Sequence, residues 1–225
     1  MTRHKSAIAL FVASQFLVAA MALGQGAYKV APSGAPNATG IPKVVQGLLE
    51  TQGVSFENAQ GAPVCEIWWR KGIPAKSASS SSSGDVLYSG LAMGEFVGVI
   101  HFPKTTKDFR GQSIKPGYYT LRYALIPQDG NHMGVSSYRD FLLLVPVADD
   151  PNPAQAMTFD QVVKASRLAA STGHPAVMML DPVSQNPKFP SAVQDDQGNW
   201  ALDVKLDTSG GQLPFAMVLV GQYQG

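Results

Sequence analysis

Residues 114–146 read IKPGYYTLRYALIP, then QDGNHMGVSSYRD, then FLLLVP. Lys115-Pro116-Gly117 is a turn signature, with Pro presetting one backbone angle and Gly supplying freedom beside it. From Tyr118 the chain alternates. Tyr119, Leu121, Tyr123 and Leu125 share one strand face, opposite Tyr118, Thr120, Arg122, Ala124 and Ile126. The first set is expected in the core and the second mixed. Phe141 to Val145 is a continuous apolar run, which fits a strand buried on both sides, and Pro146 ends it.

The connection between these strands, 128–140, is long for a hairpin, and long loops inside compact domains are often functional. It gathers Asp129, Asn131, His132, Tyr138, Arg139 and Asp140, the candidate ligand-binding residues, with His132 as ligand or general base. The competing reading is structural: Asp129 and Asn131 close turns through their own backbone, and Arg139 pairs with a carboxylate.

Working outward, other segments show the same period of two. Val54–Glu57 and Pro63–Arg70 read as a hairpin, and Val86–Tyr88 as a short strand. In 95–102, Phe96, Gly98, Ile100 and Phe102 face one way and Val97, Val99 and His101 the other. Ala176–Leu180, Trp200–Leu206 and Pro214–Val220 follow. Trp68 and Trp69 must point to opposite faces, so one belongs to the core. The other is either covered by a neighbouring element or exposed as a stacking platform for a sugar.

Two helices interrupt the strands. Val44, Val45, Leu48 and Leu49 suit one helical face after Pro42, although Gly47 weakens it. Thr158 and Gln161 form a capping box, with Met157 and Val162 placed as its hydrophobic staple. About nine short strands and two short helices that do not alternate with them predict a mainly β protein, an antiparallel β-sandwich.

The N-terminus sets the compartment. Arg3, His4 and Lys5 precede the apolar run 6–22, and small residues follow at Ala20, Ala22 and Gly24. This predicts a signal peptide over 1–24, an extended Pro/Gly-rich tether over 25–41 and a single domain over 42–225. An uncleaved anchor is the alternative. The expected location is periplasmic or extracellular, with no membrane span left after cleavage. Removing 1–24 takes away Arg3 and Lys5 and no acid, so 17 basic and 16 acidic residues become 15 and 16. That balance excludes the basic footprint of a nucleic-acid binder. A single cysteine excludes an internal disulfide. In PVCEIWW, Cys65 alternates in phase with Ile67 and Trp69, as a buried thiol does.

Chemical motifs are sparse. No HxH, HxxxH or HExxH spacing links His101, His132 and His174, and DDPNP lacks a calcium-loop pattern, so no metal and no cofactor are expected. His101 reads as a satisfied core or rim histidine. No GxSxG, SxxK or Cys–His arrangement supports nucleophilic hydrolysis.

The segments GQSIKPGYYTLRYALIPQDGNHMGVSSYRDFLLLVPVADD, APVCEIWWRKGIP and STGHPAV resemble uncharacterised secreted proteins of acidobacteria and planctomycetes. IKPGYYTL also resembles a broader family of secreted bacterial domains of unknown function. The resemblance implies a secreted β-rich domain and assigns no catalytic residues. The expectation is therefore an exported, non-catalytic envelope protein that binds a small ligand, a glycan or an envelope protein. The alternative is a metal-dependent or acid–base enzyme using the 128–140 loop.

Overall fold

A computed structural model of the chain describes residues 27–37, 39–80, 84–130, 132 and 136–221. The expected signal peptide, Asn131 and part of the serine-rich run (81–83) lie outside the described residues.

In chain order the strands are β1 (Lys29–Ser33), β2 (Gly53–Glu57), β3 (Pro63–Trp69), β4 (Phe96–Phe102), β5 (Thr106–Lys107), β6 (Ser113–Ile114), β7 (Gly117–Leu125), β8 (Asp140–Pro146), β9 (Val177–Asp181), β10 (Ser191–Gln194), β11 (Trp200–Thr208) and β12 (Gly211–Val220). Among the described residues two helices, α1 (Lys43–Gln46) and α2 (Phe159–Ser166), and one 3-10 turn (Val147–Asp149) complete the elements. β5 and β6 pair alone; the other ten form one sheet in the order β1-β2-β3-β4-β7-β8-β9-β12-β11-β10. Every strand pairing within this sheet is antiparallel.

The expected antiparallel β class holds, but the sandwich does not. The ladder runs unbroken from β1 to β10, and these two end strands touch. The rings of Tyr28, just before β1, and Trp200, on β11, meet there at 5.4 Å. The result is a nearly closed barrel. Its inward residues form one apolar cluster that includes Phe56, Trp69, Leu121, Leu142, Leu202 and Phe215. One sheet curled on itself buries its inner face without a second sheet.

β1 falls inside the segment expected as a tether. Tyr28 stacks on Phe56, with ring centroids 5.2 Å apart, and Val30 packs against the barrel core. Pro32 is tolerated because β1 lies at the end of the ladder order, where a strand can lack an N–H donor. α1 is a single turn. Ile41, Val45 and Leu49 are buried against Trp68, Phe96 and Val99 outside the barrel, whereas Val44 is exposed. Trp69 points inward against Phe215, and Trp68 is covered on the outside, its indole N–H donating to Gly34 O at 2.8 Å. Neither is an exposed platform.

A bulge revises the faces of β4. The register shifts between Phe96 and Gly98. Phe96 therefore joins Val99 outside, and Val97 joins Ile100 and Phe102 inside. A bulge adds one residue and flips the alternation before it.

On β7 both faces are buried, not one. Tyr119, Leu121 and Tyr123 line the interior, while Thr120, Arg122 and Ala124 are covered from outside. α2 provides part of that cover, packing on β8. It begins with the expected capping box. Thr158 N–H donates to Gln161 Oε1 at 2.8 Å, and Gln161 N–H donates to Thr158 Oγ1 at 3.4 Å. Met157 and Val162 share one apolar cluster, as a staple does.

The β3–β4 connection crosses one end of the barrel. Ile73 exchanges backbone hydrogen bonds with Asp207 and Ser209 beside the β11–β12 turn. Farther along, Leu87 and Tyr88 are buried, so Val86–Tyr88 is a crossing loop rather than a strand. The Tyr88 hydroxyl donates to Asp181 O at 2.8 Å and accepts from Ala216 N–H at 2.9 Å. It thereby bridges β9 and β12, which share only two residue pairs.

Candidate functional site

The β7–β8 loop divides into a surface tip and a structural base. At the tip His132 and Asp129 are both exposed, with His132 Nδ1 3.1 Å from Asp129 Oδ1. Asn131, between them in sequence, lies outside the described residues. At the base Tyr138 is half-buried against the barrel core. Arg139 Nε donates to Ile126 O at 2.8 Å and stands 3.8 Å from Asp85. Asp140 is fully buried. It accepts from Leu87 N–H at 2.7 Å, Tyr88 N–H at 2.9 Å and the Tyr123 hydroxyl at 2.6 Å. Burial, then the bond to Asp140, pushes the Tyr123 phenol pKa up, so it stays a donor. Asp129 and His132 are thus brought together, whereas Tyr138, Arg139 and Asp140 anchor the strand ends and the crossing loop. His132→Ala is expected to change the unfolding free energy by no more than about 0.5 kcal/mol, the surface scale. A larger loss in a denaturant titration would place His132 in a buried network.

His101 lies on the outer sheet face in a cross-strand row with Glu66 and Tyr118. Its Nδ1 is 3.1 Å from Glu66 Oε2, and its ring stacks on Tyr118 at 4.2 Å. Ser33 Oγ donates to the other Glu66 oxygen at 2.7 Å. The hydroxyl meets the carboxylate and not the imidazole. The nucleophile–base–orienter order is therefore not formed. Among the described residues no three His, Cys, Asp or Glu side chains form a group able to hold a metal ion. Cys65 is buried, and desolvation, followed by the charge of Glu66, pushes its thiol pKa up, leaving an inert thiol.

Asp181, at the end of β9, is perturbed. Burial, then the charges of Asp195 and Asp203, pushes its carboxyl up to about 6. Its folded pKa is raised, so its contribution to stability is fully present below its ordinary value near 3.8 and is lost as pH rises through about 6. Asp181→Asn is therefore expected to match the parent near pH 4 and to exceed it by about 1–2 kcal/mol at pH 7.5, allowing for its partial exposure. Denaturant titrations at both pH values check this; equal differences at the two would contradict it.

A concave site lies elsewhere. Between α2 and the segment 149–157 lies a cleft of about 490 Å³. This falls within the ~300–1,000 Å³ range of small-ligand pockets. Gln161, Lys164 and Ala165 of α2, at the i, i+3, i+4 spacing of one face, and Leu168 in the turn just past its end form the helix-side wall. Asp149, Asn152, Gln155 and Met157 come from the opposite wall. Beneath that wall Arg122 and Asp150 form a pair with both side chains fully buried. Arg122 Nε donates to Asp150 Oδ2 at 2.8 Å and Nη2 to Oδ1 at 2.5 Å. Its Nη1 donates to Gly94 O at 2.9 Å and Gln155 O at 2.8 Å, tying the cleft wall to the barrel. In the sequence, DDPNP showed only the lack of a calcium-loop pattern, and nothing in it marked this cleft. The available signal was the α2 row that sets Leu168 off the core face.

A scan against protein-family models finds no match. Searches of curated proteins and of solved structures find none either. No helix among the described residues is long and apolar enough to cross a membrane.

Proposed function

We propose that this chain is an exported, non-catalytic binding protein of the cell envelope that holds its ligand in the α2 cleft. The observation that carries the reading is the cleft itself, a concavity with apolar and hydrogen-bonding residues, whose loop wall is tied to β7 by Arg122 and whose helix wall packs on β8. Such a combination is what small-ligand sites present. Export is supported by the basic start and apolar run of residues 3–22, and by the likeness of 111–150 to secreted proteins. The 128–140 loop, the seat of the enzymatic alternative, offers the imidazole–carboxylate pair His132–Asp129 at its tip. Three of its other candidates serve the fold.

The test is a thermal-shift screen of the purified protein against glycans, peptides, amino acids and metal ions. It is repeated on Ala165→Trp, which fills the cleft from the helix wall. A ligand that raises the melting temperature of the parent and not of the folded variant supports the reading. A ligand that stabilises both equally contradicts it.

A further inference from the structure

We infer that the α2 cleft takes a short apolar peptide with free termini, its ammonium toward Asp149 and its carboxylate toward Lys164. This rests on the cleft reading above and names the ligand class for it. The two walls carry opposite charges: Lys164 projects from α2, and Asp149 from the 3-10 turn. Both are exposed, and neither side chain makes a hydrogen bond or ion pair among the described residues. The remaining charge in the cleft, Asp150, is already neutralised by Arg122. Met157, Ala165 and Leu168 line the same cleft and supply its apolar surface. Leu168 is 64% exposed, a large apolar side chain with little of its surface covered by the fold.

The arrangement selects by charge. A fatty acid would satisfy Lys164 but leave Asp149 facing its uncharged tail. An apolar amine would satisfy Asp149 and leave Lys164 unmatched. A neutral glycan has no charge for either, and no aromatic residue lies among those lining the cleft to stack on a sugar. A peptide zwitterion with apolar side chains meets both charges and covers Leu168. On the loop wall Asn152 Nδ2 donates to Gln155 Oε1 at 3.3 Å, and the remaining oxygen of Asn152 and amide nitrogen of Gln155 stand for its peptide groups.

The experiment titrates isotopically labelled protein with dileucine, N-acetyl-dileucine and dileucine amide, following backbone amide shifts. Dileucine is expected to perturb residues 149–168 and to bind about fivefold tighter than either capped form, the scale of one rim ion pair. Lys164→Gln is expected to abolish the preference over the amide, and Asp149→Asn the preference over the acetylated form. Each variant keeps the other preference, which a merely structural role would not produce. The inference is overturned if dileucine does not bind at millimolar concentration, or if capped and free forms bind alike. If peptides fail while another ligand is lost in Ala165→Trp, the ligand class is wrong and the cleft reading stands. If dileucine binds Ala165→Trp as it binds the parent, both fall.

Discussion

Asp140→Ala is expected to lower stability by about 3–5 kcal/mol, because it strands three buried donors at once. Leu87 N–H, Tyr88 N–H and the Tyr123 hydroxyl all end on this carboxylate. The first two belong to the loop that crosses the barrel end, and the third to β7. The carboxylate at the start of β8 is therefore the junction between the crossing loop and the sheet. Each stranded donor costs about 1–3 kcal/mol, and local rearrangement recovers part of that. Asp140→Asn keeps one acceptor oxygen and should lose less than the alanine variant. Denaturant midpoints of the three proteins decide the matter. A loss below about 1 kcal/mol in the alanine variant would mean that the carboxylate faces solvent and is free for a ligand.

Arg122→Met is expected to cost a similar amount, about 3–5 kcal/mol, by leaving the Asp150 charge buried without its partner. Thr120 Oγ1, which donates to Asp150 Oδ2 at 2.6 Å, cannot replace a guanidinium. The same variant frees the carbonyls of Gly94 and Gln155, so the cleft wall loses its tie to β7. Arg122→Met/Asp150→Leu removes both charges and is expected to regain most of the loss, since apolar replacement of a buried pair is often neutral. The double-mutant cycle on unfolding free energies measures the coupling. Additive single losses would contradict the pairing.

How much of this was legible in the sequence differs by element. The β7–β8 pair was readable because alternation and an apolar run are local signals, and Leu121↔Leu144 and Tyr123↔Leu142 pair as such strands do. The α2 start was readable because a capping box lies within four residues. β1 was hidden by Pro32, Gly34 and Pro36, whose composition reads as a tether; only Tyr28 and Val30 hinted at a packed strand. The barrel was hidden because a sandwich strand and a barrel strand carry the same period of two. Closure depends on which strands become neighbours, and β9 beside β12 is a long-range choice that no local pattern encodes.

The loop site was half readable. Chemically capable residues do cluster in 128–140, but sequence spacing does not show direction. Asp140 turns inward because the crossing loop brings two unpaired amides to it. The cleft was not readable as a site, because its walls come from segments with no shared motif. Lys164 and Asp149 meet a common space only through the Arg122–Asp150 tie and the docking of α2 on β8.

The most direct measurement is the affinity of one ligand, taken from the thermal-shift screen, for Ala165→Trp and His132→Ala side by side. The cleft reading predicts that the tryptophan variant loses binding while remaining folded, and that the His132 variant binds as the parent does. Loss of binding in His132→Ala with full binding retained in Ala165→Trp would contradict it and return the site to the β7–β8 loop.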